Sequence, residues 1–175
     1  MFMKTVYFAG GCFWGTEKVF KSLPGVVETT VGYANGHTTD PTYRQVCTDT
    51  TGHLETVKVV YDPAEIYLKD LLRAFFLVID PSVQNRQGED VGSQYQTGVY
   101  YEDPQDLPVI QAAFAAERAK HPVFCVELQA LSCFYDAEEY HQDYLDKNPT
   151  GYCHITSHEM AAIAELKKTL QKPEA

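Results

Sequence analysis

A single cysteine placed between glycines and aromatic residues is the part of this sequence best suited to chemistry. The segment Gly11-Cys12-Phe13-Trp14-Gly15 follows an apolar run over residues 5–9, which predicts a strand, and precedes residues 16–23, whose apolar spacing predicts a helix. Cys12 is therefore expected at a strand-to-helix turn, where unpaired N–H groups and the helix dipole favour a thiolate over a thiol. The pattern predicts a nucleophile beside an aromatic pocket, and a buried structural thiol is the alternative.

Other residues able to do chemistry are scattered along the chain. Glu55 lies at a predicted loop-to-strand junction, Asp90 lies in a glycine-containing loop, and Tyr43 and Tyr95 lie in two long irregular stretches. Taken singly, each has an ordinary explanation as a solvated carboxylate, a turn former or a packing ring. Cys153 belongs to a turn-rich segment over residues 148–153. Spacing alone does not bring these residues together.

The composition limits the classes of function. The chain has 175 residues, of which 45% are hydrophobic and 22% charged, so we predict a single domain over residues 1–175 with a hydrophobic core. A net charge of −10 argues against a nucleic-acid binder, and no apolar run approaches the ~20 residues that span a membrane. Five cysteines, an odd number, favour reactive thiols over a disulfide framework. Because no export signal is evident, we expect a cytoplasmic location.

Hydrophobic periodicity predicts strands and helices in alternation along the chain. Further strands are expected over residues 54–62, 98–101 and 123–131. Further helices are expected over residues 68–79, from Asp136 to about Leu145, and from Ser157 to about Gln171, and another helix is expected to begin between Asp103 and Pro108. The helix at Asp136 is inferred from an acidic capping box. Residues 32–52 and 80–97 show no regular pattern, and long irregular segments of this kind are usually functional or mobile.

This order of elements indicates the fold class. Strands and helices are intermixed, and residues 54–62 alternate between apolar and polar side chains, which indicates a sheet whose two faces are covered differently. We therefore predict an α+β fold, a two-layer sandwich with a mixed, largely antiparallel sheet, a ferredoxin-like core and long irregular loops. A fully parallel α/β sheet fits the pattern less well.

Six blocks of the sequence resemble the peptide methionine sulfoxide reductases of the A type. Besides residues 11–15, the matching blocks are Pro41-Thr42-Tyr43-Arg44, Gly52-His53-Leu54-Glu55, and residues 86–95, 134–142 and 148–153. They occur in order over about residues 4–156, and six ordered blocks are far more specific than one. The resemblance is weakest over the helical tail of about residues 157–171.

The resemblance implies a reaction and the residues that carry it. Members of this family reduce the S epimer of methionine sulfoxide, free or in proteins, to methionine. Cys12 matches the family's nucleophile, and Glu55 matches an acid whose pKa must be raised for it to donate a proton at neutral pH. Tyr43 and Tyr95 match phenols that hydrogen-bond the sulfoxide oxygen. Asp90 matches a carboxylate that supports this polar cluster.

The resemblance also implies a substrate wall and a recycling route. Phe13 and Trp14 match rings that hold the methyl group of the substrate. Attack by Cys12 would leave a sulfenic acid, and Cys153 matches the resolving cysteine that condenses with it to a disulfide. Thioredoxin would then reduce the disulfide by thiol exchange. No cofactor and no metal are expected.

Some positions depart from the family pattern or fall outside it. The family usually has alanine where this chain has Leu54, and leucine should point away from Glu55 if the strand alternates. Cys125 and Cys133 fall outside the matching blocks, at positions where the family would have aliphatic or small residues. They are interpreted as core thiols, with a second recycling thiol as the alternative. Cys47 follows Tyr43 closely and could lie near the site, although ordinary packing is favoured.

Three other functions are consistent with parts of the sequence. A zinc protein could use the His and Cys residues of the C-terminal third, but no pair has the short Cys-x-x-Cys spacing of a structural site. A non-catalytic module could hold methionine-like side chains in an aromatic groove, with Cys12 structural. A thiol peroxidase would share the sulfenic-acid step.

Overall fold

Six strands form one mixed sheet in the computed structural model, which describes residues 2–174. The strand order is β7-β6-β1-β3-β2-β8, and every neighbouring pair is antiparallel except β6 and β7. The prediction of a mixed, largely antiparallel sheet is thus confirmed. A separate two-stranded hairpin is formed by β4 and β5. The strands are β1 Lys4–Ala9, β2 Val26–Ala34, β3 Leu54–Tyr61, β4 Arg86–Gln87, β5 Asp90–Val91, β6 Gly98–Tyr101, β7 Glu127–Ala130 and β8 Phe134–Asp136.

The helices connect these strands in a ferredoxin-like pattern. Along the chain, β1, α1, β2, β3, α3 and β6 form a βαββαβ unit whose strands lie in the order β6-β1-β3-β2. The remaining helices pack around this unit or lie in the loops, and short 3₁₀ turns cover Ser93–Tyr95, Pro104–Asp106 and Glu139–His141. The α-helices are α1 Phe13–Lys21, α2 Tyr43–Val46, α3 Leu68–Leu77, α4 Leu107–Arg118, α5 Tyr144–Lys147 and α6 Ser157–Thr169.

The two faces of the sheet are covered differently, as the alternation of β3 predicted. Val57, Val59 and Tyr61 join the main core under the helices, whereas Leu54 belongs to a smaller cluster on the opposite face. Because side chains alternate along a strand, Glu55 points to the helix-covered face. The prediction that Leu54 points away from Glu55 is confirmed, and its larger side chain is absorbed by packing in the smaller cluster.

Two sequence predictions about secondary structure are wrong. Strand β2 was not predicted, because its first half is exposed and polar and its pattern is completed only by pairing with β3 and β8. The helix expected from Asp136 to about Leu145 does not form. Asp136 instead ends β8 by pairing with Gly32, and the chain reaches α5 through a 3₁₀ turn and Asp143 at φ 54°. Pairing across the sheet outweighs the local capping signal.

Other predicted elements are present with shifted ends. The strand expected over residues 123–131 is confined to β7, and the last helix is capped by Thr156 one residue before Ser157. The irregular stretches contain the short elements α2, β4 and β5. None of the helices within residues 2–174 is long and apolar enough to cross a membrane.

Candidate active site

The Cys12 turn is shaped by the glycines on either side of the cysteine. Cys12 is the N-cap of α1, as predicted, and only 7% of it is exposed. Gly11 has φ +84°, and a Cβ there would lie 2.7 Å from the Gln87 Cβ, so only glycine fits. The Thr16 hydroxyl donates a hydrogen bond of 3.1 Å to the Gly10 carbonyl, which ties the turn to the helix that follows.

The expectation that Cys12 is a thiolate in the free protein is wrong. Burial raises the pKa of Cys12 far above its ordinary value, and the negative charge of Glu55 raises it further at any pH at which Glu55 is ionised. The backbone N–H of Trp14, at the start of α1, lowers the pKa as the helix N-terminus should, but this effect is smaller. Cys12 is therefore a buried thiol that needs an additional influence to ionise.

Glu55 is a buried carboxyl group that faces the same turn. It is 1% exposed, and its Oε1 accepts a hydrogen bond of 3.2 Å from the Phe13 backbone N–H. Its Oε2 is buried and has no hydrogen-bond partner among the residues that the structure describes. Burial raises the pKa of Glu55 to about 8, the Phe13 N–H lowers it, and the charge of Asp90 raises it. At neutral pH the carboxyl group therefore holds a proton that it can donate.

The structure brings the two predicted tyrosines to the Glu55 carboxyl group. Tyr43 begins α2, and Tyr95 ends the 3₁₀ turn that precedes β6. Burial raises the pKa of both phenols, and the charge of Glu55 is the next cause in each case. Both phenols are therefore protonated at neutral pH and can donate hydrogen bonds beside the carboxyl group.

Asp90 reaches the same cluster from strand β5. Its Oδ2 accepts a hydrogen bond of 2.9 Å from the hydroxyl of Tyr152, which precedes Cys153. Its charge contributes to the raised pKa values of Cys12, Glu55 and Tyr95. Asp90 therefore lies near enough for its charge to act on the acid Glu55 and on one of the two phenols, Tyr95.

Phe13 and Trp14, the two predicted substrate-binding residues, differ in how far they are exposed. Phe13 is 1% exposed and lies inside the core, whereas Trp14 is half-buried. The Trp14 ring stacks on Tyr144 with centroids 3.7 Å apart, and its Nε1–H donates to the His141 Nδ1 at 3.0 Å. His141 also packs against Phe13 and Tyr43. Together these rings form an aromatic wall next to the Cys12 turn.

Sequence reasoning did not assign a role to the residues that support this wall. His141 is buried, and its Nε2 has no hydrogen-bond partner in the described chain. Glu138 fixes Tyr43 by accepting a hydrogen bond of 3.0 Å from its backbone N–H. Glu138 also accepts the Tyr33 hydroxyl at 2.8 Å. Both residues lie in the block 134–142, whose match to the family was the only sequence signal that could have identified them.

Cys153 lies against the first turn of α1. Its Sγ is 2.9 Å from the position that a Cβ on Gly15 would occupy, so a side chain at Gly15 would displace the thiol. Cys153 is half-buried, and the next residue but one, Ile155, is buried in the main core. A groove of about 350 Å³ opens beside Cys153, lined in part by Leu145, Pro149 and Met160.

The other three cysteines have different surroundings. Cys47 is an exposed residue that lies close to the site. Partial burial of its thiol raises the pKa of Cys47, and both the Tyr43 phenol and the charge of Glu55 are near enough to affect that pKa. Cys125 and Cys133 are half-buried, so the interpretation of both as core thiols is wrong. Within residues 2–174 all five cysteines are free thiols, and no three His, Cys, Asp or Glu side chains are grouped so that they could hold a metal ion.

This chain is similar to known proteins over most of its length. The family model for peptide methionine sulfoxide reductase matches residues 4–173. A peptide methionine sulfoxide reductase MsrA of Clostridium acetobutylicum is 54% identical over 154 residues, which cover 87% of this chain and 95% of the relative. The match to the family model extends through α6, where the sequence resemblance was weakest.

Solved structures give the same assignment. Reduced Mxr1 of Saccharomyces cerevisiae has a TM-score of 0.83 and 36% identity, covering 88% of this chain and 91% of that one. Mxr1 in complex with Trx2 has a TM-score of 0.59 and 26% identity, covering 81% and 84%. Methionine sulfoxide reductase A of Corynebacterium diphtheriae has a TM-score of 0.79 and 40% identity, covering 86% and 77%. The chain belongs to the peptide methionine sulfoxide reductases of the A type, a family of sulfur oxidoreductases.

Proposed function

We propose that this chain reduces the S epimer of methionine sulfoxide, free and in proteins, with Cys12 as nucleophile and Glu55 as proton donor. The observation that carries the proposal is the pairing of two buried, protonated groups at one turn. Glu55 has a pKa of about 8 and an Oε2 with no hydrogen-bond partner among residues 2–174, which leaves that atom free to donate to a ligand. A sulfoxide oxygen is the acceptor that such an acid would serve.

The first chemical step uses the acid and the phenols together. A sulfoxide oxygen bound beside Glu55 would also accept hydrogen bonds from Tyr43 and Tyr95, and donors placed where charge develops lower the barrier. Proton transfer to that oxygen makes the sulfur electrophilic. The positive charge that develops on the substrate lowers the pKa of the nearby Cys12 thiol, which supplies the influence that the free protein lacks. The Cys12 thiol and the sulfoxide become a Cys12 sulfenic acid and methionine.

The aromatic wall is proposed to hold the rest of the substrate side chain. Trp14 is half-buried and is fixed from behind by Tyr144 and His141, so its ring is a preorganised surface for the methyl group. Phe13 is too deeply buried to offer much surface. We therefore assign its role chiefly to its backbone N–H, which orients Glu55, and to the dry surroundings that keep this acid protonated. Asp90 supports the cluster and accepts the hydrogen bond that fixes the hydroxyl of Tyr152.

Recycling is proposed to use Cys153 and thioredoxin. Cys153–SH condenses with Cys12–SOH to a disulfide and water, and a dithiol reductant then opens the disulfide by exchange. Mxr1, a relative, has been solved in complex with Trx2, which supports a thioredoxin as the physiological reductant. The groove beside Cys153 opens next to the sulfur that the reductant must reach.

An NADPH-coupled thioredoxin assay with a methionine sulfoxide peptide tests the proposed function. The proposal predicts sustained turnover with the S epimer, and Cys12→Ser should abolish it. A non-catalytic module would bind the peptide without turnover. A thiol peroxidase would consume hydrogen peroxide faster than the sulfoxide. Binding without turnover, or a preference for hydrogen peroxide, would therefore reject the proposal. Cell fractionation tests the cytoplasmic location, and limited proteolysis tests whether residues 1–175 behave as a single domain.

A further inference from the structure

His154 follows the proposed resolving cysteine, and its environment is unusual for a histidine in a turn. Its Nε2 lies 2.9 Å from the Gly10 carbonyl oxygen, two residues before Cys12. A carbonyl oxygen only accepts hydrogen bonds, so Nε2 carries the proton and donates. His154 therefore joins the Cys153 segment directly to the Cys12 turn.

The ring of His154 lies along the glycines of that turn. Its Nε2 is 3.2 Å from the position that a Cβ on Gly11 would occupy, and its Nδ1 is 3.4 Å from the corresponding position on Gly15. The Sγ of Cys153 approaches the same position on Gly15, at 2.9 Å. The imidazole and the resolving thiol thus share the space that the absence of side chains leaves open beside Cys12.

Within the described part of the chain, the buried Nδ1 of His154 has no hydrogen-bond partner. Burial lowers the pKa of His154, although the charges of Asp90 on β5 and Glu159 on α6 and the bond to the Gly10 carbonyl raise it. The ring is therefore neutral, with a single N–H. The bond from that N–H to the Gly10 carbonyl is the only hydrogen bond between the ring and the rest of the described chain.

The neighbouring residues show why one hydrogen bond matters here. Ile155 is anchored in the core and Thr156 caps α6, whereas Tyr152 on the other side is 45% exposed. Cys153 and His154 form the border between the anchored and the exposed parts of the segment. Cys153 packs against the main core and the chain before it is exposed, so the His154 hydrogen bond adds a directed link from this border to the Cys12 turn.

We propose that His154 is a positioning residue for disulfide closure, whose Nε2–H bond to the Gly10 carbonyl holds Cys153 beside Cys12. The inference rests on the proposed function. In the step concerned, the S–O bond of the Cys12 sulfenic acid breaks and the Cys12–Cys153 S–S bond forms. The hydroxyl of Cys12 and the thiol proton of Cys153 leave as water. The sulfur of Cys153 is oxidised and that of Cys12 is reduced, so no further oxidant is needed.

The test follows both chemical steps in one experiment. The full chain is mixed with one equivalent of methionine S-sulfoxide without reductant and quenched at intervals, and methionine and the Cys12–Cys153 disulfide are quantified. For His154→Ala we expect methionine to form at the wild-type rate and the disulfide to close about tenfold more slowly, with sulfenic acid accumulating. The Gly10 carbonyl keeps its bond from Thr16 in this variant, so the turn should be retained.

Two further variants make the result specific. His154→Gln places an amide N–H at about the reach of Nε2 and should restore closure to within about threefold of the wild type. His158→Ala removes an exposed histidine from the same region and should change neither step. Closure at the wild-type rate in His154→Ala, equal slowing of both steps, or failure of glutamine to restore closure would each overturn the proposal. Failure of the wild type to form methionine would instead reject the proposed function.

Discussion

Replacing Glu55 by glutamine removes the proposed proton donor while keeping the size of the side chain. With a pKa of about 8, about 90% of Glu55 is protonated at pH 7, against about 0.3% for a carboxyl group at the ordinary value of 4.5. General acids contribute about 10²–10⁴-fold to rate, so Glu55→Gln should slow methionine formation by that factor at pH 7. Tyr43 and Tyr95 remain as hydrogen-bond donors and should support the residual rate.

The pH dependence makes this prediction sharper. Only about 10% of Glu55 is protonated at pH 9, so the ratio of wild-type to Glu55→Gln rates should fall about tenfold between pH 7 and pH 9. Ionised Glu55 also raises the pKa of Cys12, and it does so in the wild type alone, which lowers the wild-type rate further at pH 9 and adds to the expected fall in the ratio. The assay is methionine formation in a single turnover with stoichiometric sulfoxide, and Glu28→Gln, an exposed carboxyl group on β2, is the control. A rate within threefold of the wild type, or a ratio that does not change with pH, would refute the role of Glu55.

Three other predictions follow from the same structure. Cys153→Ser should give about one methionine per chain and then stop with thioredoxin as reductant, and continued turnover would point to Cys47 or another thiol. Gly15→Ala places a Cβ 2.9 Å from the Cys153 Sγ, so disulfide closure should slow about tenfold at an unchanged rate of methionine formation, and normal closure would contradict the observed contact. Burial raises the pKa of Glu55 to about 8 and that of Glu17 to about 7, so the folded state binds more protons than the unfolded chain above pH 4.5. The stability that these groups contribute is complete below pH 4.5. It falls by about 1.4 kcal/mol per pH unit for each bound proton as the pH rises, until the pH has passed the folded-state pKa values of about 7 and about 8. Urea unfolding at pH 6 and pH 9 should show this loss reduced in Glu55→Gln, and an equal loss would contradict it.

The sequence predicted the fold well where local patterns and sheet pairing agree. The strand-helix turn at Cys12, strand β3 and helix α3 all have strong periodicity and were found as expected. Strand β2 and the short β8 lack a local strand pattern because both depend on pairing across the sheet, β2 with β3 and β8, and β8 with β2. A Cβ on Gly32 would lie 2.4 Å from the Phe134 ring, so the close pairing depends on a glycine that weakens any local strand pattern.

The site could be predicted only through resemblance, and for a physical reason. Glu55, Tyr95 and Cys153 come from a strand, a 3₁₀ turn and an irregular segment far apart in sequence, and only the sheet order brings them to Cys12. The ionisation of Cys12 was misjudged because a helix N-terminus is visible in a sequence whereas burial is not. His154 was considered only as a possible zinc ligand, since its bond to Gly10 depends on tertiary structure.

A disulfide map after one turnover shows directly whether Cys12 attacks the sulfoxide and Cys153 resolves the product. The protein is mixed with one equivalent of methionine S-sulfoxide, alkylated, digested and analysed by mass spectrometry. We expect one methionine per chain, a Cys12–Cys153 disulfide, and alkylated thiols at the three remaining cysteines. Methionine formed while Cys12 stays a free thiol would contradict this expectation, as would a disulfide that joins Cys12 to Cys47, Cys125 or Cys133.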